Sequence, residues 1–562
     1  MNSPATRYFA STCAGALLVG ATALVTTRPA VHAAETAEIQ IDAGKTFQTI
    51  DGFGTCLISW GQFPGLYYDE KLAKIYADDM GLDILRCELG FGSLPNPTPL
   101  EEISHENFSL DASTGRPRVF IEFAQKLKQV NPEMMIIGTV WSPPGWMKAH
   151  GQGHADPAIP RNGQRPKQGI SALTYGTTQN YVTKEHYPHF VKWLVEMAKL
   201  WESEGGALSA ISPGNEVMFS QPFQSNVWIA EDYAEIVALL GEGLDRAGLS
   251  DIRIFGPETM TGHNFEHGNP PYLAAIRGSD AMDHLDIWAT HGYVDGQLED
   301  NTASSVSEFW ASIEDDGKPY WITEGGTGLH QWPAPLEGVA AAIHNSFVHG
   351  NASAFVPWQI SGHEDTGNGS KHHLMVGHTM TKKSHAVRHF ARTIERGAKR
   401  IEAKPSGKHV MASAYRHPED GQLSVVLINP ENTERDIELE IEGVRDLSEF
   451  TQYRTSEEED FEEVARVGVL GGKARFTMPA LSMVTLVGET YVPGASSIGS
   501  TPQPLAPARA WTSAEDPSRQ IQAALLEVEG DIVRLRMANG QDVRVPLDKF
   551  SQADRDWVDD YR

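Results

Sequence analysis

Two short segments of this sequence could break a bond together. Ala210-Ile211-Ser212-Pro213-Gly214-Asn215-Glu216 closes one apolar, β-rich run, and Trp321-Ile322-Thr323-Glu324-Gly325-Gly326 closes another, with Glu324 lying 108 positions after Glu216. Paired carboxylates suit the cleavage of a glycosidic bond. One protonates the leaving oxygen while the other attacks the anomeric carbon, and a gap of about 5–5.5 Å gives retention of configuration. The acid must keep its proton near neutral pH, which burial or a neighbouring like charge can arrange. A lone Glu at a strand end is more often half of a salt bridge. The ordered pair, with Asn215 beside the first member, favours chemistry.

Such a pair needs a frame that carries both strand ends to one place. Eight strands are expected at Gln48–Leu57, Asp83–Leu89, Met135–Trp141, Ala207–Ser212, Arg253–Pro257, Leu285–Thr290, Tyr320–Thr323 and Ala352–Gln359. Between them lie amphipathic stretches such as Glu70–Met80, Val119–Val130, Tyr187–Glu204, Ala230–Ala247 and Leu336–His349. Apolar strands alternating with helices imply a parallel sheet covered on both sides. Eight such units imply an α/β fold closed as a (β/α)8 TIM barrel over residues 47–397, whose catalytic mouth lies at the C-terminal ends of the strands. The glycine-rich Ile50-Asp51-Gly52-Phe53-Gly54 lacks the features of a phosphate-binding loop.

After Arg400 the pattern becomes short strands: His409–Tyr415, Leu423–Ile428, Asp436–Ile441, Ala474–Met478 and Met483–Val487. These imply an antiparallel all-β sandwich made of residues 36–46 plus 398–490. The acidic run Glu457–Glu463 is expected to be a solvated loop. Residues 491–508, rich in Pro, Ser, Gly and Ala, read as a linker. Residues 509–562 form a further small unit, with Asn539-Gly540 as a hairpin signal between two alternating runs.

The net charge is −28, with no long basic block. Nucleic-acid binding normally leaves a basic footprint, so no nucleic-acid partner is expected. Residues 1–33 read as a signal peptide: Arg7, an apolar Cys13–Val25, and a small-x-small site at Val31-His32-Ala33. An exported protein, whether periplasmic, cell-surface or extracellular, is therefore expected. No apolar run reaches the length of a transmembrane span. Beyond that segment only Cys56 and Cys87 remain. They could pair or stay as buried thiols.

The chain resembles glycoside hydrolase family 30 across about residues 37 to 490. The resemblance rests on Ile50-Asp51-Gly52-Phe53-Gly54, Ile84-Leu85-Arg86, Trp141-Ser142-Pro143-Pro144-Gly145-Trp146-Met147-Lys148, Ser212-Pro213-Gly214-Asn215-Glu216, His291-Gly292-Tyr293 and Ile322-Thr323-Glu324. It implies Glu216 as general acid/base and Glu324 as nucleophile. It further implies Asn215 on the sugar 2-hydroxyl, Tyr293 and Arg86 holding Glu324 ionised, and Trp141 and Trp358 shaping the sugar subsite. His291 would touch the sugar or stand just behind it, and Trp146 would pack. Two departures, Gly54-Thr55-Cys56 and Gly214, are expected near the substrate and bear on which sugar is bound. The tail, through Arg509-x-Trp511-Thr512 and Val543-Arg544-Val545-Pro546-Leu547, resembles the SH3-like Sla-homology domain, a small β-barrel suited to protein or surface contact.

The reading is a retaining β-glycoside hydrolase, free of cofactor and metal, acting on xylan, β-1,6-galactan or β-1,6-glucan. A glucosylceramidase-like hydrolase of lipid glycosides is the nearest alternative. A non-catalytic carbohydrate-binding protein is the alternative from another class. The loop from His363 to His373 is expected to border the cleft as a polar substrate loop.

Overall fold

The computed structural model describes residues 35–57, 68–111, 117–159, 174–260, 269–293, 303–326, 328–362, 373–407, 409–492, 506–514, 518–530, 532–537 and 542–558. Residues 1–34, which include the expected signal peptide, most of the expected linker, the expected hairpin turn at Asn539-Gly540 and residues 363–372 lie outside them.

Eight strands close a parallel barrel in chain order: β2 (Gly52–Leu57), β3 (Ile84–Glu88), β4 (Met135–Thr139), β5 (Ala210–Ser212), β6 (Arg253–Thr259), β7 (Leu285–Gly292), β8 (Tyr320–Gly325) and β9 (Ala354–Phe355). Each overlaps an expected strand. The first expectation merged two elements, because Gln48 and Thr49 still belong to a long β1 (Glu35–Thr49) outside the barrel. Most barrel strands are buried along their whole length, as parallel strands sandwiched between two packed layers must be. Helices Pro117–Val130, Tyr187–Ser203 and Ala230–Ala247 lie where the sequence periodicity puts them. Their apolar faces pack on the outer side of the strands in one large core.

The barrel interior is a second core made of Ile84, Met135, Ile137, Ala210, Phe255, Ile287, Ala289, Trp321, Ala354 and Val356. Side chains alternate along a strand, so the next inward positions toward the C-terminal end follow by counting in twos. On β3 that is Arg86; from β4, Thr139 and then Trp141. On β7 it is His291 and then Tyr293, and after β9 it is Trp358. The packing that fills the barrel thus aims these polar and aromatic side chains at its mouth.

The β-domain is one continuous nine-stranded sheet, in the order 460–468, 449–455, 482–489, 422–429, 411–416, 399–405, β1, 435–442 and 473–478. It folds over a core that draws on strands from both halves of that order, including Ile39, Val425, Leu439, Phe450 and Val467. The expectation of purely antiparallel pairing needs correction, since β1 runs parallel to Arg435–Glu442. The acidic run is also corrected. Asp460–Gly468 is an edge strand paired with Glu449–Thr455. Most of its side chains face solvent, which is why its composition reads as a loop.

The tail holds a four-stranded antiparallel sheet, Ala506–Thr512, Gln520–Glu529, Ile532–Met537 and Asp542–Pro546, followed by a helix at Gln552–Val558. Its core centres on Trp511, Leu525, Leu535 and Phe550. No described helix is long and apolar enough to cross a membrane.

Candidate active site

Glu216 and Glu324 are both buried at the barrel mouth. With His291 they form a cluster in which one carboxylate oxygen from each lies within 4.8 Å of the other. Glu324 stands on β8 itself. Its Oε1 accepts from Arg86 Nη1 at 2.6 Å, and its Oε2 accepts from the Tyr293 hydroxyl at 2.7 Å. Glu216 stands four residues past the end of β5, with a left-handed backbone at φ 47°. A bulky residue holds that conformation only when its surroundings impose it. Here its amide donates to the Glu258 carbonyl at 3.0 Å, and its Oε2 accepts from Gln221 Nε2 at 2.6 Å.

Arg86 is the hub. Besides Glu324, it donates to Asn215 Oδ1 at 2.8 Å, Glu258 Oε1 at 2.9 Å and Thr139 Oγ1 at 3.1 Å. Its guanidinium lies over the Trp141 ring at 4.5 Å. Trp141 and Trp358 face each other with ring centroids 6.0 Å apart, in an apolar cluster with Cys56 and a partly buried Tyr293. His291 Nδ1 sits between the pair, 3.4 Å from Glu216 and 3.3 Å from Glu324. All eight residues singled out from the sequence for the site therefore gather at the mouth. Trp146 packs instead, its indole N–H donating to the Leu94 carbonyl.

Electrostatics follow from burial and these contacts. Burial disfavours the charged form of His291, yet Glu324, Glu216 and Glu258 outweigh it and raise the imidazole to about 9. Burial would raise Glu258 as well, but Arg86 and His291 hold it at about 2. Burial pushes the Glu324 carboxyl up, while His291 and Arg86 pull it back without cancelling the rise. Two cations thus face three carboxylates. The cluster is neutral when the Glu216/Glu324 pair carries one proton, as an acid and a nucleophile together require. The same three side chains offer metal-ligand atoms. An imidazolium between two carboxylates has no lone pair to give, however, and Arg86 repels a cation, so the set does not suit a metal.

Glu258 is the functional residue the sequence reading missed. It is fully buried at the end of β6 with φ 51°. Its signal was a third carboxylate at a strand end, one residue beyond where the expected strand stopped. Cys56 and Cys87 are both free and buried. Cys56 Sγ lies 3.6 Å from Arg86, so this departure does border the site. The expectation for Gly214 is corrected. A Cβ there would meet Val217 at 2.7 Å and Trp228 at 3.0 Å, so the position faces packed side chains and leaves no room for a substrate-facing group.

A (β/α)8 barrel with two carboxylates at its mouth, joined to a β-sandwich, defines the class. Residues 397–486 match the glycosyl hydrolase family 30 β-sandwich domain. Glucuronoxylanase XynC of Bacillus subtilis is 26% identical over 267 residues, 46% of this chain and 56% of that protein. An endo-1,6-β-D-glucanase of Neurospora crassa is 26% identical over 249 residues, 43% of this chain and 45% of that protein. The chain spans about half the length of these curated relatives. The family 30 subfamily 8 xylanase Xyn30A of Clostridium acetobutylicum shares the fold, with a TM-score of 0.62 and 19% identity over 80% of this chain and 99% of that one. The sandwich is that of glycoside hydrolase family 30, and these matches support the same family for the barrel joined to it.

Proposed function

We propose that this chain is a retaining β-glycoside hydrolase of β-linked polysaccharide or oligosaccharide, of the xylan or β-1,6-linked glucan or galactan type. The observation that carries the reading is the buried pair Glu216/Glu324, with carboxylate oxygens within 4.8 Å. A gap of that size supports retention, since an inverting pair stands further apart to admit a water.

Glu324 attacks the anomeric carbon. Arg86 and Tyr293 donate to its two oxygens and favour its charged form. Glu216 protonates the leaving oxygen, then takes a proton from the water that hydrolyses the glycosyl-enzyme. Its Gln221 partner is uncharged, which suits a group that must gain and lose a proton. Asn215, oriented by Arg86, meets the sugar 2-hydroxyl, where a contact strengthens as the oxocarbenium ion forms. Trp141 and Trp358 flank the subsite, and the His291 cation balances the charge of the pair.

Acting on lipid glycosides would call for an apolar rim. Among the described residues the exposed large apolar side chains are Phe47, Leu100, Leu329, Leu470, Tyr491 and Ile532. They are spread over barrel, sandwich and tail, so among the described residues they form no single apolar rim. Export follows from residues 1–33 as read in the sequence. The test is a screen of purified protein against xylan, β-1,6-glucan, β-1,6-galactan and a lipid glucoside, with Glu324→Ala as control. Release from one of the first three, absent in the variant, supports the reading. Release from the lipid glucoside alone overturns the substrate class.

A further inference from the structure

Besides the His291 cation that it shares with Glu324, Glu216 has a hydrogen-bond donor of its own. We propose that Gln221 is the positioning residue of Glu216, and that Lys148 anchors it through Asn180 and Ser225. The proposal rests on Glu216 being the acid/base.

The connections run without a gap. Lys148 Nζ donates to Asn180 Oδ1 at 2.9 Å, and Asn180 Nδ2 donates to Ser225 Oγ at 2.8 Å. Ser225 Oγ accepts the Gln221 amide N–H at 2.9 Å, and the Gln221 side chain donates to Glu216 at 2.6 Å. Lys148, Asn180, Ser225 and Gln221 are all buried. The lysine also donates to the carbonyls of Ser225 at 2.6 Å and His154 at 3.1 Å. All of these acceptors are neutral, and burial pushes the ammonium well below its ordinary value. Burying a cation without a carboxylate in contact is costly. What this one provides is geometry: it ties the segments around residues 148–156, 174–182 and 216–228 into one body.

That body is what a loop-borne acid needs. Glu216 lies beyond its strand in a left-handed conformation, so the barrel ladder cannot fix its side chain. An amide N–H donates more strongly to an unprotonated carboxyl oxygen than to a carboxyl hydroxyl. Gln221 therefore reserves Oε2 as acceptor and leaves the proton to Oε1, the oxygen on the His291 side. The charged and titratable groups facing Glu216 are His291 and Tyr293 from the β7 end, Glu324 on β8, and Glu258 with Arg86 behind them.

The experiment compares Gln221→Leu and Gln221→Glu with wild type on aryl β-glycosides, from 2,4-dinitrophenyl to phenyl, built on the oligosaccharide the enzyme cleaves fastest. Both variants keep the side-chain volume. Glu216→Gln is measured beside them. In Gln221→Leu, kcat/KM for the phenyl glycoside should fall about tenfold more than for the dinitrophenyl one, because only the poor leaving group needs the acid. Losing a donor to the carboxylate favours its protonated form, so the basic limb of kcat/KM should move to higher pH, and further still in Gln221→Glu. Ser225→Ala, one step back along the relay, should move both readouts the same way by less, and it decides the matter if the Gln221 variants do not fold. Equal losses for all leaving groups with an unmoved basic limb would overturn the positioning role. If Glu216→Gln itself showed no leaving-group dependence, the assignment of Glu216 would fall, and the proposal with it.

Discussion

The surroundings of Glu324 and of Glu216 are built on different plans. Glu324 stands on a barrel strand, and its partners Arg86, His291 and Tyr293 come from inward positions on or just beyond β3 and β7. Strand pairing and the barrel's interior packing fix all of them at once. Glu216 stands on a loop, where an uncharged amide from five residues further along that loop reaches its Oε2 and the His291 cation, shared with Glu324, lies 3.4 Å from its Oε1. On the proposed roles, one barrel gives two chemically identical carboxylates opposite tasks. Charged donors in the wall suit a nucleophile that must stay ionised, and a neutral donor on a loop suits a group that must gain and lose a proton.

The largest effect should come from breaking the wall side. Glu324→Ala should lower kcat by at least about 10⁴-fold, on the scale seen when a nucleophile is removed from a catalytic unit. Added azide should then enter the vacated cavity and yield a glycosyl azide of inverted configuration, read by proton NMR. Full activity in this variant would end the assignment. On the loop side, Glu216→Ala should cost roughly 10²–10⁴-fold on natural substrate and far less on an activated aryl glycoside. Azide should here give the retained product, because it replaces water on the face the acid served. Equal losses on the two substrate types would mean that Glu216 has another role.

The wall plan was largely legible in the sequence and the loop plan was not. Glu324 was read from its place at a strand end, while Arg86, Trp141, His291, Tyr293 and Trp358 came from the motifs that carry the family resemblance; the structure puts all six at inward positions on or just past barrel strands. Glu258 escaped because a single carboxylate past a Pro carries no pattern. Gln221 escaped because a contact made across a loop leaves no periodicity. In the β-domain, Lys399–Pro405, Glu449–Thr455 and Asp460–Gly468 were not recognised as strands. They alternate charged and half-buried residues, and the last lies at a sheet edge with one side to water.

The Arg86 hub gives an intermediate prediction. Glu258→Ala should destabilise the fold by about 3–5 kcal/mol, because it leaves Arg86 buried with one partner fewer; urea unfolding reads it. The sign with pH follows from the two shifts. The Glu258 contribution is present above its ordinary value of 4.5 and is lost as pH falls through about 2. The His291 contribution is complete below 6.5 and is lost as pH rises through about 9. The stability gap between wild type and the variant should therefore be widest between about pH 4.5 and 6.5, and a uniform offset at every pH would contradict the charge assignment. The smallest effect should come from the tail. Deleting residues 509–562 should change kcat on a soluble oligosaccharide by less than about twofold, since every residue assigned to the chemistry lies between Arg86 and Trp358. A drop of about tenfold, or 1.4 kcal/mol in the barrier, would show that the tail reaches the cleft.

The central claim is that Glu216 and Glu324 act by double displacement, and the anomeric configuration of the first-formed product tests it most directly. Proton NMR during the first minutes of hydrolysis, before mutarotation, should show the β-anomer appearing first and the α-anomer growing in later. Initial release of the α-anomer would mean a single inverting displacement and would contradict the roles given to both carboxylates.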